Sequence, residues 1–190
     1  IICPEFLKSL SQKEISEGVA EIIKTFLLAD KKLFLECRKI LLKGELSIKT
    51  AGDLPNKTAL IKAGIVEKDP NEKGDRIFLN LGHTFAHALE KTAQLYHGES
   101  VGTGLVLAAK LSVKLGLLAK SEAVTIEETV AAAGLPVKCP IPVTDLAEYM
   151  KKDKKRDNRT IRFVLLQGIG KPVVYNIGIE SLKGVLDGID

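Results

Sequence analysis

The 190 residues contain no tryptophan, and aromatic side chains make up only 5% of them. That leaves little flat surface on which bases could stack, and a net charge of +4 is mild, so a nucleic-acid partner is not indicated. Cysteine is scarce as well: Cys3, Cys37 and Cys139 stand at wide, irregular intervals. They set up no disulfide framework and fit a reducing, cytoplasmic compartment. Long apolar runs are missing. The richest stretch, VGTGLVLAAKLSVKLGLLAK (101–120), is interrupted by Lys110 and Lys114, so it reads as a buried helix and no membrane span is expected. The opening IICPEFLKSL has neither the basic start nor the long apolar core of a secretory signal. A dinucleotide fingerprint is also lacking. GTG at 102–104 and GIG at 168–170 have no third glycine, and neither lies between a strand and a helix.

What is present suits one globular, mainly α domain, 45% apolar and 27% charged. Residues 11 to 43 read as helical almost throughout, with Ser11 and Glu14 at the spacing of a capping box and Gly44 as the stop. Further helices fit 56–69, Asn80 to about Leu95, 101–120 and 121–136, with a short one starting near Thr144. Between the second and third of these, the chain is expected to break at YHGES (96–100). TIRFVLLQGIGKPVVYNIG (160–178) differs: two β-branched and aromatic runs around QGIGKP predict a single small β-hairpin. The residues after it suggest a short closing helix.

All three histidines, His83, His87 and His97, fall within residues 83 to 97. Imidazole is a common metal ligand and proton carrier near neutral pH, so the crowding points to a site. His83, His87 and Glu90 share one helix face, because positions i, i+4 and i+7 align. His83 and His87 could meet one metal ion, but Thr-Phe-Ala between them supplies no glutamate base, which excludes the zinc-protease motif. A turn at HGE could instead fold His97 over that face, giving the two imidazoles and a carboxylate common at a catalytic zinc. The alternative is two exposed helix histidines and a third in a loop. Glu21 and Lys24, inside the apolar VAEIIKTFLLA, are either an i, i+3 ion pair at a surface edge or part of a site. Lys62, Arg76 and the run KKDKKRDNR (151–159) supply cations suited to phosphate or carboxylate, or a solvated loop.

GVAEIIK, KAGIVEKDPNEKGDRIFLNLGHTFAHALE, HGESVGTGL and DKKRDNRTIRFVLLQGIG resemble, in order and spacing, the 3-dehydroquinate synthase family. PEFLKSL looks like the segment with which that family leaves its nucleotide-binding domain. The resemblance covers essentially the whole chain. Val19 and Ala86 stand where the family usually has methionine and glycine, changes that remove no functional group.

The resemblance implies that residues 1–190 are the single helical metal- and substrate-binding C-terminal domain, inactive alone, with the family's N-terminal NAD-binding domain absent. Zinc, or cobalt, would be held by Glu21, His83 and His97. His87 would sit by the substrate phosphate and take part in proton transfer. Lys24 would act at the reacting centre, and Lys62, Arg76 and Asn80 would contact substrate, joined by Lys154 or Lys155. The implied reaction converts the sugar phosphate 3-deoxy-arabino-heptulosonate 7-phosphate to 3-dehydroquinate in the shikimate pathway, in a homodimer. Relatives such as 2-deoxy-scyllo-inosose synthase share the metal motif, so a related cyclase is an alternative. A non-catalytic helical interaction module is another.

Overall fold

Ser11 opens the first helix with the reciprocal bonds its spacing predicts. Its Oγ accepts from the Glu14 N–H at 3.3 Å, and its own N–H donates to the Glu14 carboxylate at 2.7 Å. In this computed structural model, which describes residues 4–44, 53–153 and 159–189, that helix is α1 (Gln12–Ala29). The helical run expected over 11–43 is two helices. Asp30, extended at φ −158° and ψ 113°, ends α1 and caps α2 (Lys31–Leu42). Its Oδ1 accepts from the Lys32 and Leu33 N–H groups at 2.7 and 3.1 Å. A short carboxylate satisfies the free donors of a new helix start, so the chain turns there at little cost. Gly44, at φ +64°, follows α2 as the expected stop.

Helix α3 (Leu54–Lys68) begins two residues before the expected 56, with Pro55 in the first turn, where its missing N–H is no loss. A turn and a 3-10 helix, Asp75–Asn80, lead to α4 (His83–Thr92). This helix is shorter than the expected span from Asn80 to Leu95. It waits for Gly82, whose φ of +75° reverses the chain, and ends before Gln94, at φ +53°. The break expected at YHGES falls earlier, because HGES is the first turn of α5 (His97–Lys114). The Glu99 carboxylate accepts from the Tyr96 N–H at 3.1 Å and secures that start. Then come α6 (Lys120–Ala132), α7 (Val143–Asp153), strands β1 (Thr160–Leu166) and β2 (Pro172–Gly178), and α8 (Leu182–Leu186). The strands pair antiparallel, with Thr160 opposite Gly178 and Leu166 opposite Pro172.

Helix α5 forms the axis of the core, packed on α1, α4, α6 and β1. Val101, Leu105, Ala108 and Leu111 are at most 1% exposed. Residues 100–109 are buried throughout, as this mostly apolar stretch before Lys110 requires. Its glycines face neighbouring backbones directly. A Cβ on Gly104 would fall on the Gly82 carbonyl oxygen, and one on Gly98 would fall on the Glu17 backbone of α1. The hairpin is bolted to the helices by two bonds: the Leu166 N–H donates to Ser112 Oγ at 3.1 Å, buried in the core, and the Gly170 N–H to the Leu27 carbonyl at 2.8 Å. Phe163 of β1 and Phe85 of α4 meet with ring centroids 5.3 Å apart. Among the described residues, no helix is long and apolar enough to cross a membrane.

These contacts separate glycines that must stay bare from those that need not. Gly104→Ala is expected to destabilise the chain by about 1–3 kcal/mol through overpacking. Gly64, in mid-α3 with nothing within 4 Å of an added Cβ, is the control: Gly64→Ala should stabilise by about 0.5–1 kcal/mol. Denaturant midpoints of the two variants check both signs.

Candidate metal centre

Three helices each bring one donor to a common point. Glu21 projects from α1, His83 is the first residue of α4, and His97 is the first residue of α5. The contact of Gly98 with Glu17 lies beside His97 on one helix and one turn before Glu21 on the other. One ligand atom from each of Glu21, His83 and His97 lies within 4.8 Å of the others. The i, i+4 spacing pairs His83 with His87, and their rings do meet, edge to face, with centroids 5.6 Å apart. The close group of donors nevertheless takes in His97, whose ring centroid is 5.9 Å from that of His83, and not His87.

The two candidate ligand imidazoles are each held at Nδ1. Nδ1 of His83 lies 3.2 Å from the Leu81 carbonyl, and Nδ1 of His97 lies 2.7 Å from Glu90 Oε1. With those nitrogens assigned as the N–H donors, both lone pairs fall on Nε2. Outer partners of this kind orient ligating histidines. Burial and the neighbouring Lys24 ammonium push the His83 pKa down to about 4, so the ring is neutral and free to coordinate at pH 7.

Glu21 and Lys24 form an ion pair, but not at a surface edge. Lys24 is 3% exposed, its Nζ 2.9 Å from Glu21 Oε1 and 3.5 Å from His83 Nε2. Lys62 holds the other oxygen, Nζ to Oε2 at 3.1 Å. Burial works to raise the Glu21 pKa, but the two ammonium groups outweigh it and bring it to about 2. For Lys24, burial outweighs the help from Glu21 and lowers its pKa. Two imidazoles and one ionised carboxylate are a donor set that suits zinc or cobalt and leaves a fourth position open.

A cleft runs from this cluster along α4, with Asn80, His83, Thr84, His87, Tyr149 and Arg162 among its lining residues. Asn80 donates through Nδ2 to the Glu72 carboxylate at 2.9 Å. Arg76 is held apart, its Nη1 donating to the Pro70 carbonyl at 2.7 Å and its N–H to Asp69 at 3.1 Å, and it does not line the cleft. Lys154 and Lys155 lie outside the described residues. Two residues escape the sequence reading. Glu90 is visible there only as a member of the histidine face, and its partner lies on the next helix. Arg162 is the one charged residue of TIRFVLL, which was the signal the sequence offered; in β1 it is exposed.

The family model described as 3-dehydroquinate synthase C-terminal matches residues 18–156. A 3-dehydroquinate synthase from Acinetobacter baylyi is 37% identical over 188 residues, which are 95% of this chain and 51% of that protein. One from Nitratiruptor sp. is 41% identical over 173 residues, 89% of this chain and 49% of that one. The chain thus spans about half the length of these curated relatives. Among solved structures, 2-epi-5-epi-valiolone synthase from Streptomyces hygroscopicus subsp. jinggangensis, with NAD+ and Zn2+ bound, is 26% identical with a TM-score of 0.82. It covers 98% of this chain and 54% of its own. A 2-deoxy-scyllo-inosose synthase complexed with carbaglucose-6-phosphate, NAD+ and Co2+ shares the fold at 22% identity and a TM-score of 0.78, over 96% of this chain and 54% of its own.

The two displaced pKa values set a pH dependence. The Glu21 pKa is lowered from an ordinary 4.5 to about 2, and that of His83 from 6.5 to about 4. Between those limits the unfolded chain binds more protons, so stability is lost as pH falls from 6.5 towards 2. The thermal midpoint of the metal-free chain should decline on acidification from pH 6.5 to 4, and His83→Gln should flatten that part of the curve. An equally steep slope in the variant would show that His83 is not its source.

Proposed function

Because the chain belongs to the 3-dehydroquinate synthase C-terminal family, we propose that it supplies the metal and substrate site of a phosphate-eliminating cyclase. The substrate is 3-deoxy-arabino-heptulosonate 7-phosphate and the products are 3-dehydroquinate and phosphate. The observation that carries this reading is the convergence of the Glu21, His83 and His97 donors within 4.8 Å, beside a cleft with hydrogen-bonding and cationic side chains. Zinc or cobalt would be held by those three residues and, when bound, supplies Lewis acidity toward a substrate oxygen. The redox equivalent comes from NAD, whose binding domain is the N-terminal half of the whole protein and is not part of this chain. The whole enzyme works as a cytoplasmic homodimer.

The residues divide the remaining tasks by position. Lys24 and Lys62, at 2.9 and 3.1 Å from the Glu21 oxygens, keep that carboxylate ionised and offer N–H donors to substrate hydroxyls and carboxylate. Asn80 and His87 line the cleft, His87 one turn beyond His83 on α4, where they would meet the phosphate. His87, within reach of both phosphate and metal site, would carry the proton released from the oxidised hydroxyl. Arg76 and Lys154 or Lys155 would join from the adjoining loops, Arg76 after releasing the Pro70 carbonyl. Fixing a doubly anionic sugar in one pose supplies much of the rate through orientation.

The solved cyclases of other substrates support a second reading, in which the substrate is a sugar phosphate with no carboxylate. The 37–41% identity to proteins named 3-dehydroquinate synthase favours the first. Phosphate release by the intact enzyme from the heptulosonate phosphate, set against a sugar phosphate lacking the carboxylate, decides between them.

The site assignment makes two further outcomes measurable. Replacing Glu21, His83 or His97 with alanine should weaken zinc binding by about a hundredfold or more, a larger loss than outer partners cause. His87→Ala should retain zinc and lower turnover by roughly 10²–10⁴-fold, the usual worth of a general acid or base. Calorimetry with zinc and steady-state turnover are the readouts. Equal zinc loss at His87 and His83 would restore the i, i+4 pair as the ligands.

A further inference from the structure

We infer that Glu90 is a positioning residue for the metal centre, holding His97 with its Nε2 lone pair toward Glu21 and His83. The inference rests on the metal reading above and adds a residue to it. Three observations carry it. First, Glu90 Oε1 lies 2.7 Å from His97 Nδ1, a charge-assisted distance. Second, the two histidine ligands are secured differently. His83, 15% exposed, gives its Nδ1–H to a backbone carbonyl, a partner that no side-chain substitution removes. His97 is 58% exposed and stands at a helix start, so solvent would otherwise leave its ring free to turn and to exchange tautomers. Third, the charges near the cluster are unbalanced without Glu90. Both oxygens of Glu21 are already paired with ammonium groups, so that carboxylate is largely neutralised before a divalent cation arrives. Among the described residues, the ion pair of Glu90 is with His97 and with no lysine or arginine. Its negative charge therefore passes through the imidazole toward the cation and makes Nε2 a stronger donor.

The chain arranges this with few residues. Glu90 lies two turns after His83 on the same face of α4, which aims it along the cluster. The reversal at Gln94, with φ +53°, then returns α5 so that His97 arrives opposite Glu90 only seven positions later.

The test uses Glu90→Ala and Glu90→Gln in the intact enzyme, with zinc affinity measured by chelator competition and the donor set read from the visible spectrum of the Co2+ form. Glu90→Ala should weaken zinc by about 10- to 100-fold, the usual cost of removing an outer partner, and shift the Co2+ bands. Glu90→Gln, which keeps an acceptor oxygen without the charge, should fall between the alanine variant and the wild type. The thermal midpoint of the metal-free protein should be nearly unchanged in Glu90→Gln, which separates positioning from a fold defect. Zinc affinity within about twofold of wild type in both variants, with the wild type binding one zinc through Glu21, His83 and His97, overturns the role of Glu90 and leaves the proposed function standing. Failure of the wild type to bind zinc or cobalt overturns the metal reading and this inference with it.

Discussion

Two places where backbone meets backbone with no side chain between them determine the geometry of the whole site. Gly98 lets the first turn of α5 rest on α1 at Glu17, and Gly104 lets the middle of the same helix rest on the Gly82 carbonyl at the start of α4. The metal-ligating candidates sit immediately beside these contacts: His97 precedes Gly98, His83 follows Gly82, and Glu21 is one turn beyond Glu17. A Cβ at either glycine would separate the helices, and every donor distance would change with them. A displacement of about 1 Å is enough to cost a preorganised site most of its efficiency. The apolar burial of α5 therefore has a second consequence. Leu105, Leu111 and Val101 bind the axis rigidly into the core, so the helix can serve as a fixed reference for its two neighbours.

Local physics made most of the elements legible. The Ser11 capping box, the Gly44 stop and the hairpin around QGIGK are each decided by a few adjacent residues, and each is where the sequence puts it. The break at Asp30 was hidden because every neighbour of Asp30 favours helix. Only the ability of its carboxylate to cap the next helix marks the turn. The extra length assigned to α4 has a similar origin, since apolar periodicity continues through Leu81 and Leu95 while two residues with positive φ, Gly82 and Gln94, end the helix inside it.

The site was legible in a different and narrower sense. Crowded histidines announced that a site exists, but helical periodicity can pair only residues on one helix. It therefore selects His83 and His87, whereas the close donors come from α1, α4 and α5. Family resemblance supplied Glu21 and His97, because order along a whole chain carries the tertiary information that spacing within one helix lacks. Glu90 shows the limit of both. Its face was correct from periodicity, yet its 2.7 Å partner depends on how a reversal at residues 93–96 sets the next helix.

Charge explains why this cluster tolerates a nearly buried ammonium. Lys24, 3% exposed, would be strongly unfavourable alone, and it persists because Glu21 lies 2.9 Å away. The same pairing leaves the cluster short of negative charge: with a divalent cation bound as proposed, that cation and two ammonium groups would face the carboxylates of Glu21 and Glu90. An anionic ligand in the adjoining cleft reduces that surplus, and a cation held at the donors strengthens the attraction for the anion. By reciprocity, each binds more tightly with the other present than alone. The arrangement would thus couple occupancy of the proposed metal position to occupancy of the cleft through electrostatics, without requiring any change in the fold. It is also why removing Lys24 would not simply relieve a buried charge. Glu21 would lose one of the two partners that keep it ionised, and the cleft would lose part of the field that draws an anion in.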